Sequence, residues 1–300
     1  MLGTSFLVIT NFVYVIFATI LFILGKLILN RSFTTAALFC FLLGALYFDL
    51  SLLNVFYISV LGTIMFIENI FPRAAVADTS QENLRKSTYI LLKRTAGPLL
   101  TWAVVYAGGM GWSLSWGLTP APFWLQGLVT VIVLDFKQYW LHRGQHAYSL
   151  WWRFHRVHHF SEHINTLAHG RTHLLEHIFV QALSTELVID LLGVNRQVAL
   201  YAYSFFGILI PAFWAHANID FPKKHMSVWS YVFSTPNSHA LHHTKAFDRF
   251  NYGEIFVLWD LLFRTFRCPI AYRDEIKHFG VKDHASGQQS ILAEQFFLGK

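Results

Sequence analysis

The chain has two cysteines among its 300 residues, Cys40 and Cys268. Two such isolated residues build neither a disulfide framework nor a thiolate metal site, and Cys40 sits in an apolar stretch as inert core. Charged residues make up 13% of the sequence, where an ordinary soluble domain carries roughly 25%. The net charge of +6 comes without the clustered basic stripe that nucleic-acid binding needs, so nucleic acid is not an expected partner. No internal repeat or low-complexity run is present. The most informative absence is local. No histidine occurs in the first 141 residues, whereas fourteen of the sixteen fall between His142 and His243.

Hydrophobic residues reach 54%, and 29 are phenylalanine. Their runs suit membrane spans, which need about 20 apolar residues. Spans are expected at 5–25, 33–48, 52–71, 96–116 and 123–141. A hairpin that spans or dips into the bilayer is expected at 178–193 and 198–215, joined by Gly193-Val-Asn-Arg-Gln197. No basic segment precedes 5–25 and no small-residue site follows it, so a cleaved signal peptide is not expected. The predicted fold class is all-α, an integral membrane helical bundle with a cytoplasmic histidine-rich helical cap. Residues 1–122 are expected to form an N-terminal set of transmembrane helices, and 123–300 a second domain that carries the histidines and includes membrane helices. Lys26, Arg31 and the five basic residues of 72–94 place their loops in the cytoplasm. Counting forward puts the histidines on that same side, in a bacterial inner membrane or the endoplasmic reticulum. Trp112, Trp116, Trp124, Tyr139, Trp151 and Trp152 read as interface anchors.

Eight histidines form three blocks: His142 and His146; His155, His158 and His159; His239, His242 and His243. Residues at i, i+3 and i+4 share a helix face, so each block can aim its rings at one place. Adjacent histidines point about 100° apart, so His158 and His159 can serve different ions. Eight imidazoles exceed the four ligands of a closed site, which makes two ions the economical reading. His216, at the end of the hairpin, is a ninth candidate, and His173, heading the next apolar helix beside Glu176, is a further one. Imidazole suits zinc, iron, copper and nickel alike. Metal-bound imidazoles need acceptors for their outer ring N–H. Asp135, seven residues before His142, is assigned that task, and so is Asp260; Glu162 and Glu176 rank behind them. His163, His169, His177, His225, His278 and His284 read as ordinary core or surface residues.

The context of these blocks resembles the fatty acid hydroxylase/sterol desaturase superfamily of histidine-rich membrane di-iron oxygenases. The matching segments are Asp135-Phe-Lys-Gln-Tyr-Trp-Leu-His142-Arg-Gly-Gln-His146, Leu150-Trp-Trp-Arg-Phe-His155-Arg-Val-His158-His159 and Thr235-Pro-Asn-Ser-His239-Ala-Leu-His242-His243. Asn251-Tyr-Gly253 and Trp259-Asp-Leu-Leu-Phe-Arg-Thr265 resemble the family's closing signature. The resemblance implies the eight block histidines as ligands of two irons, with His216 in Trp214-Ala-His-Ala-Asn218 matching a further family histidine. Zinc can replace iron on purification. O2 is the implied co-substrate, a membrane lipid the substrate, and hydroxylation of an unactivated C–H bond the reaction. No His-Pro-Gly-Gly segment occurs, so there is no fused cytochrome b5 domain. Electrons are expected from a separate cytochrome b5-, ferredoxin- or flavoprotein-type donor.

The third block is also similar to that of alkylglycerol monooxygenase. Here, however, the first block lacks the acidic residue that follows its second histidine in that enzyme, which leaves ether-lipid cleavage as one option. The alternatives are a lipid or sterol desaturase or C-methyl oxidase of the same superfamily, and a non-catalytic membrane metal-binding protein. A transporter should carry its ligands within its spans, and these blocks follow them.

Overall fold

The computed structural model describes residues 52–74, 80–107, 115–220, 228–281 and 290–296. The expected spans at 5–25 and 33–48 lie outside the described residues. Among the described residues there are helices and isolated bridges but no strand, as the all-α reading requires. Also among them, no helix is long and apolar enough to cross a membrane.

Helices α1 (Leu52–Ile70) and α2 (Ser80–Ala107) precede the histidines. The sequence reading put a polar loop at 72–94, but most of that stretch is the first half of α2. Its polar side chains are consumed inside the protein. Arg85 binds Glu294 at 2.8 Å, and Lys86, fully buried, donates to the His163 carbonyl at 2.8 Å. Arg73 donates to the Pro236 carbonyl at 3.0 Å. Arg73, Arg85 and Lys86, expected as loop charges, therefore serve as internal donors.

Helix α3 (Phe123–Ala147) starts after Pro122, whose fixed φ suits a helix start, and ends where Tyr148 becomes extended. Helix α4 (Ser149–His159) then folds back along it. Gly144 permits this close approach, because a Cβ there would lie 2.7 Å from the Trp151 ring. A 3-10 turn (Thr166–Gly170) follows, then a composite helix: α5 (Leu174–Glu176), a π-helical stretch His177–Leu183, and α6 (Ser184–Leu192).

The predicted hairpin is present. Gly193 adopts φ +60° and stops α6, and the Asn195 side chain caps α7 (Arg196–Tyr203) by accepting from Gln197 N–H and Val198 N–H. A π-helical stretch, Ser204–Trp214, continues α7 and delivers His216. Ile189, Leu192, Val194 and Ala199 pack against Val129 and Val133 of α3. Ile64 of α1 packs on Phe213, Ala217 and Ile219. Three short helices complete the described chain: α8 (Pro236–His242), α9 (Leu258–Leu262) and α10 (Ile291–Phe296). Helix α8 is set by local chemistry. Thr235 and Ser238 cap each other reciprocally and Pro236 occupies the first turn.

Candidate metal centre

The histidine blocks fall into two buried groups. His142, His146, His155, His159 and His242 form the first, and His158, His216, His239 and His243 the second; within each, one nitrogen per ring lies within 4.8 Å of all the others. Each run of adjacent residues is divided. His159 and His242 face the first group, while His158 and His243 face the second. Helix α3 supplies His142 and His146 one turn apart, α4 and α8 each supply both groups, and His216 enters from the hairpin. The structure thus brings the eight block histidines and His216 together at two places.

Hydrogen bonding settles which nitrogen points inward. His142 Nδ1 donates to the Tyr252 carbonyl at 2.9 Å, His242 Nδ1 to the Phe250 carbonyl at 2.7 Å, and His158 Nδ1 to the Arg171 carbonyl at 3.1 Å. His155 Nδ1 donates to Glu176 Oε1 at 2.8 Å. Carbonyl and carboxylate oxygens only accept, so Nδ1 carries the proton in each of these rings and Nε2 is left to point inward. Burial, reinforced by neighbouring imidazoles, holds His142, His146, His158, His159, His239 and His243 well below the usual histidine range. His242 is pushed down to about 3 by burial. These seven rings are thus neutral nitrogen donors.

These donor sets fit metal ions. The Nε2 atoms of His142, His146, His155, His159 and His242 are buried without a hydrogen-bond partner. Buried polar atoms are normally satisfied, and five convergent lone pairs ask for a cation. In the second group, successive Nε2 atoms of His158, His216, His239 and His243 stand 3.0 Å apart. Lone pairs at that spacing repel unless a proton or a cation lies between them.

Comparison with known proteins agrees with this geometry. Residues 127–265 match the profile of the fatty acid hydroxylase family. This segment is similar to a fatty acid hydroxylase domain. The chain is 33% identical over 153 residues to an ornithine lipid hydroxylase from Rhizobium tropici, covering 49% of this chain and 44% of that protein. It is 28% identical over 136 residues to alkylglycerol monooxygenase from Danio rerio, covering 44% of this chain and 28% of that protein. It is 25% identical over 181 residues to lathosterol oxidase from Mus musculus, covering 59% and 58%. The matched stretches span less than two thirds of each of these relatives. No solved structure matches the chain.

Within this matched segment, the two expected aspartates act differently from the expectation. Asp135 accepts from the backbone N–H groups of Ile255 and Phe256 at 2.9 and 3.2 Å and from Trp259 Nε1 at 2.8 Å. Asp260 accepts from the backbone N–H groups of Tyr252 and Gly253 at 2.9 and 2.7 Å and from Thr265 Oγ1 at 2.7 Å. Neither accepts an imidazole N–H. Together they clamp the segment whose Phe250 and Tyr252 carbonyls hold His242 and His142, so they act on the rings through the backbone. The physical reason is reach. An aspartate side chain is short, and buried amide N–H groups lie nearer than the rings.

Glu176, ranked behind the aspartates, is the carboxylate that touches a ring. Its sequence signal was its neighbourhood to His173, which pointed at the wrong histidine. His173 lies outside both groups: its Nε2 donates to the Gln295 carbonyl at 2.6 Å and its Nδ1 accepts from Leu175 N–H at 3.1 Å, capping α5. His169 packs beside the second group, with its ring centroid 6.3 Å from that of His216, and donates to the Thr166 carbonyl. A cavity of about 310 Å³ reaches His146 and His159 past Trp152, Lys245, Asp248 and Arg249.

Proposed function

We propose that this chain is a membrane-bound oxygenase that hydroxylates an unactivated C–H bond of a lipid. His142, His146, His155, His159 and His242 would hold one iron, and His158, His216, His239 and His243 the other. With iron bound, the centre supplies O2 activation: substrate R–H, O2, two electrons and two protons become R–OH and water. The electrons come from a separate donor protein.

The observation that carries this reading is the sorting of nine buried imidazoles into two groups, within a domain whose relatives are lipid hydroxylases and oxidases. The chain's own residues do the positioning. Carbonyls of Phe250, Tyr252 and Arg171, with Glu176, lock ring orientation. Burial keeps the rings neutral and excludes bulk water, which protects a strongly oxidising centre from side reactions.

Membrane association is a property of the family, and one face of α3 supports it here. Trp124, Leu128, Ile132, Phe136 and Trp140 follow one another every four residues and are all exposed. At 1.5 Å per residue the stripe is about 24 Å long, with a tryptophan at each end, as at membrane interfaces. We assign the histidine centre to the cytoplasmic side, where reduced electron donors are found.

The test is a comparison of the lipids of cells expressing the protein with those of cells expressing His158→Ala. The reading expects a lipid one oxygen heavier that depends on His158. A lipid two hydrogens lighter would point to desaturation instead, the reading that the likeness to a sterol oxidase favours.

A further inference from the structure

A second polar cluster adjoins Glu176 and is built from residues of α2, α3, the start of α6 and the loop at Glu254. Lys137 of α3 donates to Ser184 Oγ and Thr185 Oγ1, both at 3.0 Å. Its neighbour Gln138 donates to Glu254 Oε1 at 2.9 Å. Gln145 donates to Glu176 Oε1 at 2.8 Å, the same oxygen that His155 uses. Lys93 of α2 makes one long contact, 3.5 Å to the His169 carbonyl. Lys93 lies close enough to Glu176 and Glu254, and Lys137 to Glu254, for their charges to interact.

The cluster is not closed on itself. Glu176 Oε2 and Gln138 Oε1 are buried without a partner, on residues only 4% and 6% exposed. Lys93, Lys137 and Glu254 each keep some accessible surface while surrounded by protein. Burial lowers Lys93 to about 8 and raises Glu254 above the usual carboxylate range. A hydrocarbon tail laid against these groups would strip water from two amines and a carboxylate and return no hydrogen bond, which is costly. A polar group would complete all of them.

Building on the lipid-oxygenase reading, we propose that this cluster binds the zwitterionic head of the lipid substrate. A carboxylate or phosphate of the head pairs with Lys93 and Lys137, and an ammonium pairs with Glu254. Because Glu176 of this cluster also bonds His155 of the first histidine group, the carbon that is oxidised lies in the head or next to it.

The test uses the metal-loaded full chain in detergent and two single-chain lipids of equal length. One is a lysophosphatidylethanolamine, the other a monoacylglycerol, and binding is followed by calorimetry. The zwitterion should bind about tenfold tighter or more, the range of one charge-assisted pair. Lys93→Met and Lys137→Met should each remove most of that preference while metal content stays unchanged. If one variant fails to fold, Glu254→Gln with the other carries the same comparison. Equal binding of the two lipids, or a preference untouched by the variants, overturns the proposal. Fragmenting the oxygenated product separates this inference from the reading beneath it. Oxygen in the head-group fragment supports it. Oxygen deep in the acyl chain overturns it and leaves the hydroxylase reading standing. Absence of any product that depends on His158 defeats the hydroxylase reading, while the binding preference still tests the head-group site.

Discussion

Glu176 Oε1 sits 2.8 Å from His155 Nδ1, whereas the outer nitrogens of His142, His158 and His242 face backbone carbonyls. One imidazole of the first group is therefore held by a carboxyl side chain instead of a backbone carbonyl, so its support can be changed without moving the backbone. Glu176→Ala should weaken metal binding at the first group about 10- to 100-fold and leave the second group filled. Metal analysis after dialysis against a graded chelator should give two ions per chain for the parent and close to one for the variant. Equal retention of both would show that Glu176 does not support a ligand.

Glu294 of α10 accepts from Arg85 at 2.8 Å, from Arg171 at 2.7 Å and from the Tyr89 hydroxyl, with its own side chain fully buried. Arg171 also presents the carbonyl that holds His158. Glu294→Ala leaves buried guanidinium charge short of a partner, an effect of about 3–5 kcal/mol. A drop of several degrees or more in the thermal midpoint is expected, together with weaker metal binding at the second group. A midpoint within a degree of the parent would contradict this.

Gly144 is the contact that lets α4 lie on α3. Gly144→Ala places a Cβ 2.7 Å from the Trp151 ring, and such overpacking costs about 1–3 kcal/mol. The double variant with Trp151→Leu should recover most of the loss in a denaturation midpoint. If Trp151→Leu does not rescue, the contact is not the cause.

Acid should unfold the metal-free protein early. Buried histidines have folded-state pKa values below the unfolded value of about 6.5, with His242 at about 3. Below pH ~6.5 the unfolded chain therefore binds protons that the folded chain excludes. The stability from neutral burial is complete above that pH and falls as pH drops toward the folded values, by up to about 1.4 kcal/mol per pH unit for each such histidine. Denaturation midpoints should be level from about pH 8 to 7 and fall steeply between about 6.5 and 5. A level profile through that lower window would contradict the account.

Much of the centre was legible in the sequence because its information is local. Helical spacing determines which ring can reach which place, so the division of His158 from His159 and the return of His216 follow from periodicity and a Gly-Asn hairpin. What escaped was long-range. Nothing near Glu176 in the chain indicates that it meets His155 from another helix. Nothing near Arg85 or Lys86 indicates that they are buried against Glu294 and the His163 carbonyl rather than set in a loop. Asp135 and Asp260 are expected to accept imidazole N–H groups, but their backbone partners are amides of a loop more than a hundred residues from Asp135 in sequence. The two π-helical stretches have no counterpart in the apolar pattern, which reads only as helix.

The most direct measurement is the fate of isotopically labelled O2 in cells making the protein, read by lipid mass spectrometry with His158→Ala cells beside them. The account predicts a lipid that carries one labelled oxygen atom in the parent cells and is missing from the variant. Identical lipids in the two strains, or an added oxygen that is unlabelled and so comes from water, would contradict it.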